Sequence, residues 1–465
     1  MCTIYNYLRT NLILGCTVLS LLSLASCKKF LNPSAEQGSL QSTTVFTTDA
    51  TATSAVEGIY SSMMYNSLGE TMDNGSQGVL FGLASDELNE FSTTFSDWFA
   101  DQFNYSAAGF PVYTMWSYAY NSIYQANAAI EGMTAATALD DSVKKQLLGE
   151  CYFLRAFHYF ELFNMYGAVP LATSSNYSSN ASLTRSDSSL VYQQIVSDLQ
   201  TAKSLLTTTY PSASEVRANF YVAQALLARV YLYQQKYALA QAEADSVLAG
   251  PYSLEASLSN VFLYTSTEII WQLLPSANGY NNAYDYSWYT PASSTSGPNY
   301  YLTTSLVNSF ETGDNRRTTW VTSYSFSGNT YYYPSKYTTA PSSAAADYNV
   351  VLRLAEQYLI DAEARAQQGD ISGAAAKLNV VRNRAGLGNT TAITQTDILA
   401  AIAHERQVEL FTEWGHRWFD LKRTGMINAT LGVEKSSWTS DAALLPIPLL
   451  EIEADPNLTQ NQGYN

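Results

Sequence analysis

Apolar positions recur every three or four residues along most of this chain, the spacing of helices that each bury one face. The pattern predicts helices near 49–65, 113–134, 141–166, 187–206, 216–234, 237–249, 347–368, 371–385 and 395–413. Asp49, Asp140, Asp187 and Asp370 stand at helix starts, where a short carboxylate accepts from the free N–H groups of a first turn. Over 141–166 one face carries Leu147, Leu148, Cys151, Leu154, Phe157 and Leu162, and a second carries Phe153, Phe160 and Phe163. A helix apolar on two faces packs between neighbours, as in a stack of helical hairpins. Residues 216–249 form a 34-residue unit that matches the tetratricopeptide pattern at Leu227, Ala228, Tyr231, Ala240 and Val247. Residues 355–385 echo it at Ala362, Ala374, Leu378 and Val381, and weaker hairpins over 113–166 and 187–234 extend the series.

Two stretches interrupt this periodicity. Residues 278–340 hold 15 aromatics and only six charges in 63 positions, among many Ser, Thr, Asn and Gly. Residues 85–108 have the same character, with Phe91, Phe95, Trp98, Phe99, Phe103 and Tyr105 among Asp and Asn. A long aperiodic segment in a compact protein is usually a recognition segment or disordered, and this density of rings argues against disorder. Ring faces stack on the C–H face of a pyranose, while amides and carboxylates meet its hydroxyls. Trp98 with Asn104, and Tyr284, Tyr286, Trp288 and Tyr289 with Asn281, Asn282 and Asp285, supply both kinds of group. Trp98 and the 284–289 cluster are expected to form one stacking platform, with Trp320 beside Arg316 and Arg317 as a third member.

Composition narrows the setting. Only 14% of residues are charged while 13% are aromatic, so solubility rests on hydroxyls and amides, which suits an extracellular protein handling polar, uncharged material. At the start, Arg9 precedes an apolar run over 12–24 that closes on Leu24-Ala25-Ser26-Cys27. That is a secretory signal over 1–26, too short to span a bilayer with confidence, ending in a lipobox whose Cys27 sulfur would carry a diacylglycerol anchor. Cleavage there leaves 439 residues as a single domain over 27–465 and moves the net charge from −16 to −17. Such an acidic surface excludes nucleic acid as a partner. Cys151 is then the one remaining thiol, so no disulfide framework is expected, and its apolar helical setting makes it a core residue.

No catalytic or metal constellation stands out, and no cofactor is expected. His404-Glu405 does not continue to a second histidine at the spacing zinc needs, since Val408 occupies that place. The group His404, Glu405, Glu409, Glu413, His416, Arg417 and Asp420 reads as a buried network fixing the last helices, with Glu413 and Arg417 spaced to pair if the helix runs through Gly415. Asp86, Glu87 and Glu90 form a carboxylate cluster beside aromatics, and read as solvated groups or sugar-hydroxyl acceptors rather than a hydrolytic pair.

Three blocks together resemble one family. The first is Cys27-Lys-Lys-Phe-Leu-Asn-Pro with Phe46 and residues 52–60; the second runs over 150–171, Glu-Cys-Tyr-Phe-Leu-Arg-Ala-Phe-His-Tyr-Phe-Glu-Leu-Phe-Asn-Met-Tyr-Gly-Ala-Val-Pro-Leu. The third is Glu-Arg-Gln-Val-Glu-Leu-Phe-Thr-Glu-Trp-Gly-His-Arg-Trp-Phe-Asp-Leu-Lys-Arg over 405–423, followed by Leu445-Pro-Ile-Pro and Asn457-Leu-Thr-Gln-Asn. In this order they resemble the SusD/RagB outer-membrane nutrient-binding lipoproteins. The resemblance implies a mostly helical domain of four tetratricopeptide-like hairpins packed against a loop-rich ligand face. It implies an oligosaccharide ligand, a TonB-dependent outer-membrane transporter as partner, and no enzymatic activity. Two rival readings are a peptide-binding member of the same family and a helical scaffold that holds protein partners. Lys28 and Lys29 depart from the early acidic pair that often marks surface export in such lipoproteins, which leaves the membrane face open.

Overall fold

The structure is a computed structural model that describes residues 45–64, 72–106, 111–276, 279–293 and 296–464; the expected signal segment and Cys27 lie outside the described residues. Among the described residues nine long helices carry the fold: α1 (Asp49–Met64), α2 (Pro111–Ala135), α3 (Asp141–Tyr166), α4 (Ser188–Leu205), α5 (Phe220–Tyr233), α6 (Tyr237–Leu248), α7 (Leu354–Gln367), α8 (Ile371–Arg384) and α9 (Gln395–Leu410). Each packs on the next in the chain from α2 through α8, with α1 on α2 and α9 on α7, so the molecule is the mostly helical stack of hairpins that the periodicity predicts. Small residues permit the close approach: Ala223, Ala228, Ala240, Ala244, Ala362 and Ala374 are fully buried where helices meet. In α3 both apolar faces are covered, and Cys151, Phe153, Leu154 and Phe157 are all solvent-inaccessible. Burial pushes the Cys151 thiol up, which keeps it an inert core residue.

Local chemistry sets the helix ends. Asp140 accepts from Ser142 N at 2.8 Å and Asp370 from Gly373 N at 2.9 Å, as caps should. Asp49 instead begins α1 from inside and accepts from Asp140 N at 3.0 Å, joining two helices. Asp187 sits at the cap position of α4 without a side-chain cap bond.

Two helix starts fall later than the periodicity predicts. Residues 216–219 stay outside α5 because Asn219 caps it, accepting from Val222 N at 3.0 Å. Residues 349–353 belong to a strand. β1 (Leu88–Glu90), β2 (Ile269–Leu273), β3 (Tyr300–Leu302), β4 (Val321–Phe326), β5 (Asn329–Pro334) and β6 (Asn349–Arg353) form three antiparallel pairs, β1–β3, β2–β6 and β4–β5. Both β2 and β6 are buried throughout, and such a short apolar run looks the same in sequence whether it becomes a buried strand or a helix. The β4–β5 hairpin turns through Ser327 and Gly328, both at positive φ (49° and 79°), the two-residue geometry that matches strand twist.

The last helices are fixed by the expected buried charge network. Arg353 reaches Glu268 at 3.0 Å, Glu409 at 2.6 Å and Glu413 at 2.8 Å; Arg316 reaches Glu405 at 2.6 Å, Glu409 at 2.9 Å and Asp314 at 2.8 Å. Arg384 adds bonds to Glu268 and Glu409. Despite full burial, three guanidiniums hold the Glu409 carboxyl well below the usual carboxylate range. Glu413 and Arg417 do not pair. α9 ends at Leu410, and Thr412, Trp414 and Gly415 all take positive φ in the turn that follows, so Glu413 turns to Arg353 and Lys336 while Arg417 bonds Asp86 at 2.8 and 2.7 Å. His404 is tied to Ser309 O at 2.8 Å, and burial lowers the pKa of His416 to about 4.

Candidate ligand-binding face

The two aperiodic segments meet. β1, from the first, pairs with β3, from the second, in the register Leu88–Leu302, Asn89–Tyr301 and Glu90–Tyr300. The ladder extends at both ends: Thr303 N donates to Glu87 O at 2.9 Å, and Phe91 N to Asn299 O at 2.8 Å. Beyond the Phe91 end lies a group of rings. Phe91 meets Phe326 edge-on at 5.6 Å and Tyr331 at 6.0 Å, and Tyr331 meets Tyr301 at 4.9 Å. Phe91 is 49% exposed and the other three are half-buried, so among the described residues this ridge presents uncovered ring surface.

At the Thr303 end of the same ladder is a cavity of about 320 Å³, lined by Ser85, Asp86, Asn89, Phe99, Thr303–305 and residues 434–437. Hydroxyls dominate its wall, with one carboxylate–guanidinium pair, Asp86 and Arg417, behind it. Thr303 Oγ1 donates to Asp86 O at 2.7 Å, which fixes that corner. A three-residue ladder spans roughly 10 Å, so cavity and ridge lie within reach of one extended ligand.

The expected site residues divide sharply. Trp98 is wholly buried, with its ring edge-on to Phe81 at 5.4 Å and Phe103 at 4.9 Å, deep in the main core. Trp320 is 1% exposed; its indole donates to Leu258 O at 2.9 Å, and its ring faces Lys336, Arg353 and Arg384 of the charge network within 5.0–6.0 Å. Neither offers a free face, so the expected Trp98 platform is corrected. Phe95, three residues earlier, makes the junction instead, 5.9 Å from Trp288 and stacked at 6.0 Å on Tyr300.

Asn282 is buried and serves as a bracket. It donates to the carbonyls of Ala340, Ser343 and Ala344 and accepts from Ala346 N and Asp347 N. Asp285 is buried against Asn349 at 2.9 Å, and burial pushes its carboxyl up to about 6. Tyr289 is also buried. Tyr284, Tyr286 and Trp288 remain half-exposed, with Tyr284 edge-on to Trp288 at 5.4 Å, while Asn104 is half-exposed and bonds Ser106. Asp86 and Glu87, expected as solvated groups or sugar-hydroxyl acceptors, are buried; Glu87 accepts from Thr412 N at 3.1 Å, and burial raises it to about 8.

Residues missed as individual candidates are Tyr301, Phe326 and Tyr331. Only Phe326 carried a signal, the alternation at the end of β4, where Ser323 and Ser325 are exposed while Tyr324 and Phe326 are half-buried. Among the described residues no His, Cys, Asp and Glu cluster is arranged to hold a metal ion, and no helix is long and apolar enough to cross a membrane.

Comparison with known proteins places this geometry. Residues 28–232 match the family model described as "Starch-binding associating with outer membrane", and residues 321–464 match that of the SusD family. SusD-like protein P25 of Formosa agariphila is 24% identical over 96% of this chain and 98% of its own length; SusD-like protein P38 of the same organism is 27% identical over 76% and 80%. A laminarin-binding SusD-like protein of known structure superposes with a TM-score of 0.76 at 26% identity, covering 89% of this chain and 99% of that one. A SusD superfamily protein from Bacteroides vulgatus, 21% identical, shares the fold with a TM-score of 0.78 over 90% and 99%. With family matches at both ends and curated relatives aligned over nearly its full length, this chain belongs to the SusD/RagB family.

Proposed function

We propose that this chain is an outer-membrane lipoprotein that captures oligosaccharide at the cell surface, without cleaving it, and passes it to a TonB-dependent transporter. One observation carries the binding step. The two aromatic-rich segments that interrupt the helical stack converge on a single ladder, with exposed ring surface at one end and a hydroxyl-lined cavity at the other. Rings without partners suit the apolar face of a sugar, and hydroxyls suit its rim. The laminarin-binding relative makes a β-glucan the first ligand to try. Family membership supports the transporter and the outward orientation, and the lipobox supports the Cys27 anchor.

The carboxylates support binding over hydrolysis. Glycosidases set two carboxyl groups across a cleft. Here Asp86 is held in a bidentate pair with Arg417, and Glu87 is turned into the core onto Thr412 N.

The test is affinity electrophoresis of the purified chain against laminarin and a panel of other polysaccharides, with reducing ends assayed in parallel. Retardation by at least one neutral glycan with no new reducing ends is expected. Retention by none of them, or turnover lost in Glu87→Gln, overturns the reading.

A further inference from the structure

A second cavity, of about 350 Å³, shares no lining residue with the one at Phe99. It lies between α2, the segment 170–183 and the short helix Leu449–Ala454. Its walls carry Trp116, Tyr120, Tyr124 and Tyr177, and its charged lining residues are Glu451 and Asp455, with no Lys or Arg among them. Tyr124 is 53% exposed and Tyr177 82%, so both present ring face at the mouth of the groove.

The hydrogen-bonding state of the walls says what a ligand must bring. The inner donors are spent on the protein itself. Tyr120 donates to Pro170 O at 2.7 Å, Asn127 to Ala172 O at 2.9 Å and Ser174 O at 3.2 Å, and Asn180 to Ser174 O at 2.7 Å. What remains is acceptor, ring face and the outer hydroxyls of Tyr124 and Tyr177. Glu451 takes a hydrogen bond from the Trp116 side chain, and burial raises its carboxyl above the ordinary range. Asp455 receives both its bonds from Asn457 on Oδ1, at 3.0 and 2.9 Å, leaving Oδ2 for another partner. Of the cations behind the wall, Arg155 is neutralised by Asp198 at 2.7 Å. Arg185, whose charge reaches Tyr120, is committed to Ala168 O, Tyr166 O, Thr459 O and Asn461 Oδ1. The charged lining of the groove is thus acidic, and Arg185, outside the lining, has its guanidinium held by protein oxygens.

Both charged groups of the lining are carboxylates, so the wall favours a ligand that carries positive charge over a neutral sugar. An alkylammonium or guanidinium group brings both the positive charge and the N–H or C–H polarity that ring faces attract. We infer that the groove between α2, residues 170–183 and the Leu449–Ala454 helix binds an organic cation, held over the rings of Trp116, Tyr120, Tyr124 and Tyr177 and beside Glu451 and Asp455. The site is independent of the glycan reading.

Titration calorimetry on the full chain tests it with choline, with its neutral carbon isostere 3,3-dimethylbutanol, and with Nα-acetyl-lysine methylamide beside its Nε-acetylated form. Saturable binding of choline or of the lysine derivative, with at least tenfold weaker binding of the matching neutral compound, is expected. Which of the two binds tells a quaternary ammonium from a peptidyl amine. Tyr124→Ala and Asp455→Asn, both at surface positions the fold tolerates, should each lower that affinity at least fivefold and leave glycan retention unchanged. Binding of neither cation, equal binding of a cation and its neutral counterpart, or affinity unmoved in both variants overturns the inference.

Discussion

The helical stack and the ring-bearing face use the same aromatic side chains to opposite ends. In the stack Phe153, Phe157 and Trp271 meet edge-on at about 5 Å and are shut from solvent, so each ring has neighbours on every side. On the face, Phe91, Tyr301, Phe326 and Tyr331 touch one another on one side and leave the other bare. The boundary between the two regimes runs through the first aperiodic segment itself. Trp98, Phe103 and Phe95 belong to the core, Phe91 to the surface, and Phe99 lies between. A ring in an aperiodic segment is therefore no sign of recognition until its uncovered side is known.

The largest effect separating the regimes should come from the charge network behind them. Arg353 bonds three buried carboxylates, so Arg353→Ala would leave Glu268, Glu409 and Glu413 short of a counter-charge in a dry interior. Breaking a buried pair from one side costs about 3–5 kcal/mol. Denaturant unfolding should show that loss, and a loss below about 1 kcal/mol would mean the network is hydrated and redundant.

Next comes a direct comparison of rings. Trp98→Ala should cost about 3–5 kcal/mol of stability, the range for emptying a large core site, while the folded fraction keeps its glycan affinity. Phe91→Ala and Tyr331→Ala should do the reverse, weakening binding by roughly tenfold, which is about 1.4 kcal/mol, with little change in melting temperature. Reduced affinity in folded Trp98→Ala, with normal affinity in both surface variants, would place the ligand elsewhere.

How far the sequence reached follows from the same comparison. Helix positions were legible to within a few residues because burial on a helix repeats at 3.6 and the sequence carries that period in full. The start of α7 was misplaced because residues 349–353 are buried on all sides as β6, which erases the alternation that marks a strand. The face was legible as a region, since composition alone sets 85–108 and 278–340 apart. Its individual members were not, because exposure depends on contacts across long sequence separations: Trp98 is covered by Phe81, and Trp320 by Lys336 and the arginines that gather around Glu409. The buried carboxylates escaped for a related reason. Asp86 is drawn inward by Arg417, 331 positions away.

Acid–base titration offers a smaller test, of the order of one decade in the unfolding constant per pH unit for each group. Glu161 in α3 and Glu87 under the face are both raised to about 8 by burial. A folded pKa raised above the unfolded value gives stability that is complete below about 4.5 and is lost as pH climbs through 8. His416 works in the other direction: its folded value of about 4 gives stability complete above 6.5 and lost as pH falls through 4. Melting temperature should therefore peak in the mildly acidic range. Glu161→Gln should flatten the alkaline limb without touching glycan affinity, and a limb that keeps its slope in both Glu161→Gln and Glu87→Gln would show that these carboxyls are ionised in the fold.

The smallest effect should come from a single hydroxyl that ties the face together. Tyr324, half-buried on β4, donates to Ser293 O and Ser296 O, both at 2.9 Å, and so pins the chain that leads to Gly297. That glycine lies directly under Phe91: a Cβ built there would stand 2.8 Å from the Phe91 ring. The hydroxyl thus holds in place the floor on which the most exposed ring of the ridge rests. Tyr324→Phe keeps the ring and removes the hydrogen bonds, at a net cost of about 1 kcal/mol that falls on local order rather than on the core. Global stability should move little, since the helical stack unfolds as before. Glycan affinity should fall by about two- to fivefold, because the ligand must now order the segment that the hydroxyl once held. Gly297→Ala should cost more, since its methyl group displaces the Phe91 ring outright. If Tyr324→Phe left affinity unchanged while Gly297→Ala abolished it, the ring's position would matter and the tether would not. If neither changed affinity, the ridge around Phe91 would be a packing edge, and recognition would rest on the hydroxyl-lined cavity at the other end of the ladder.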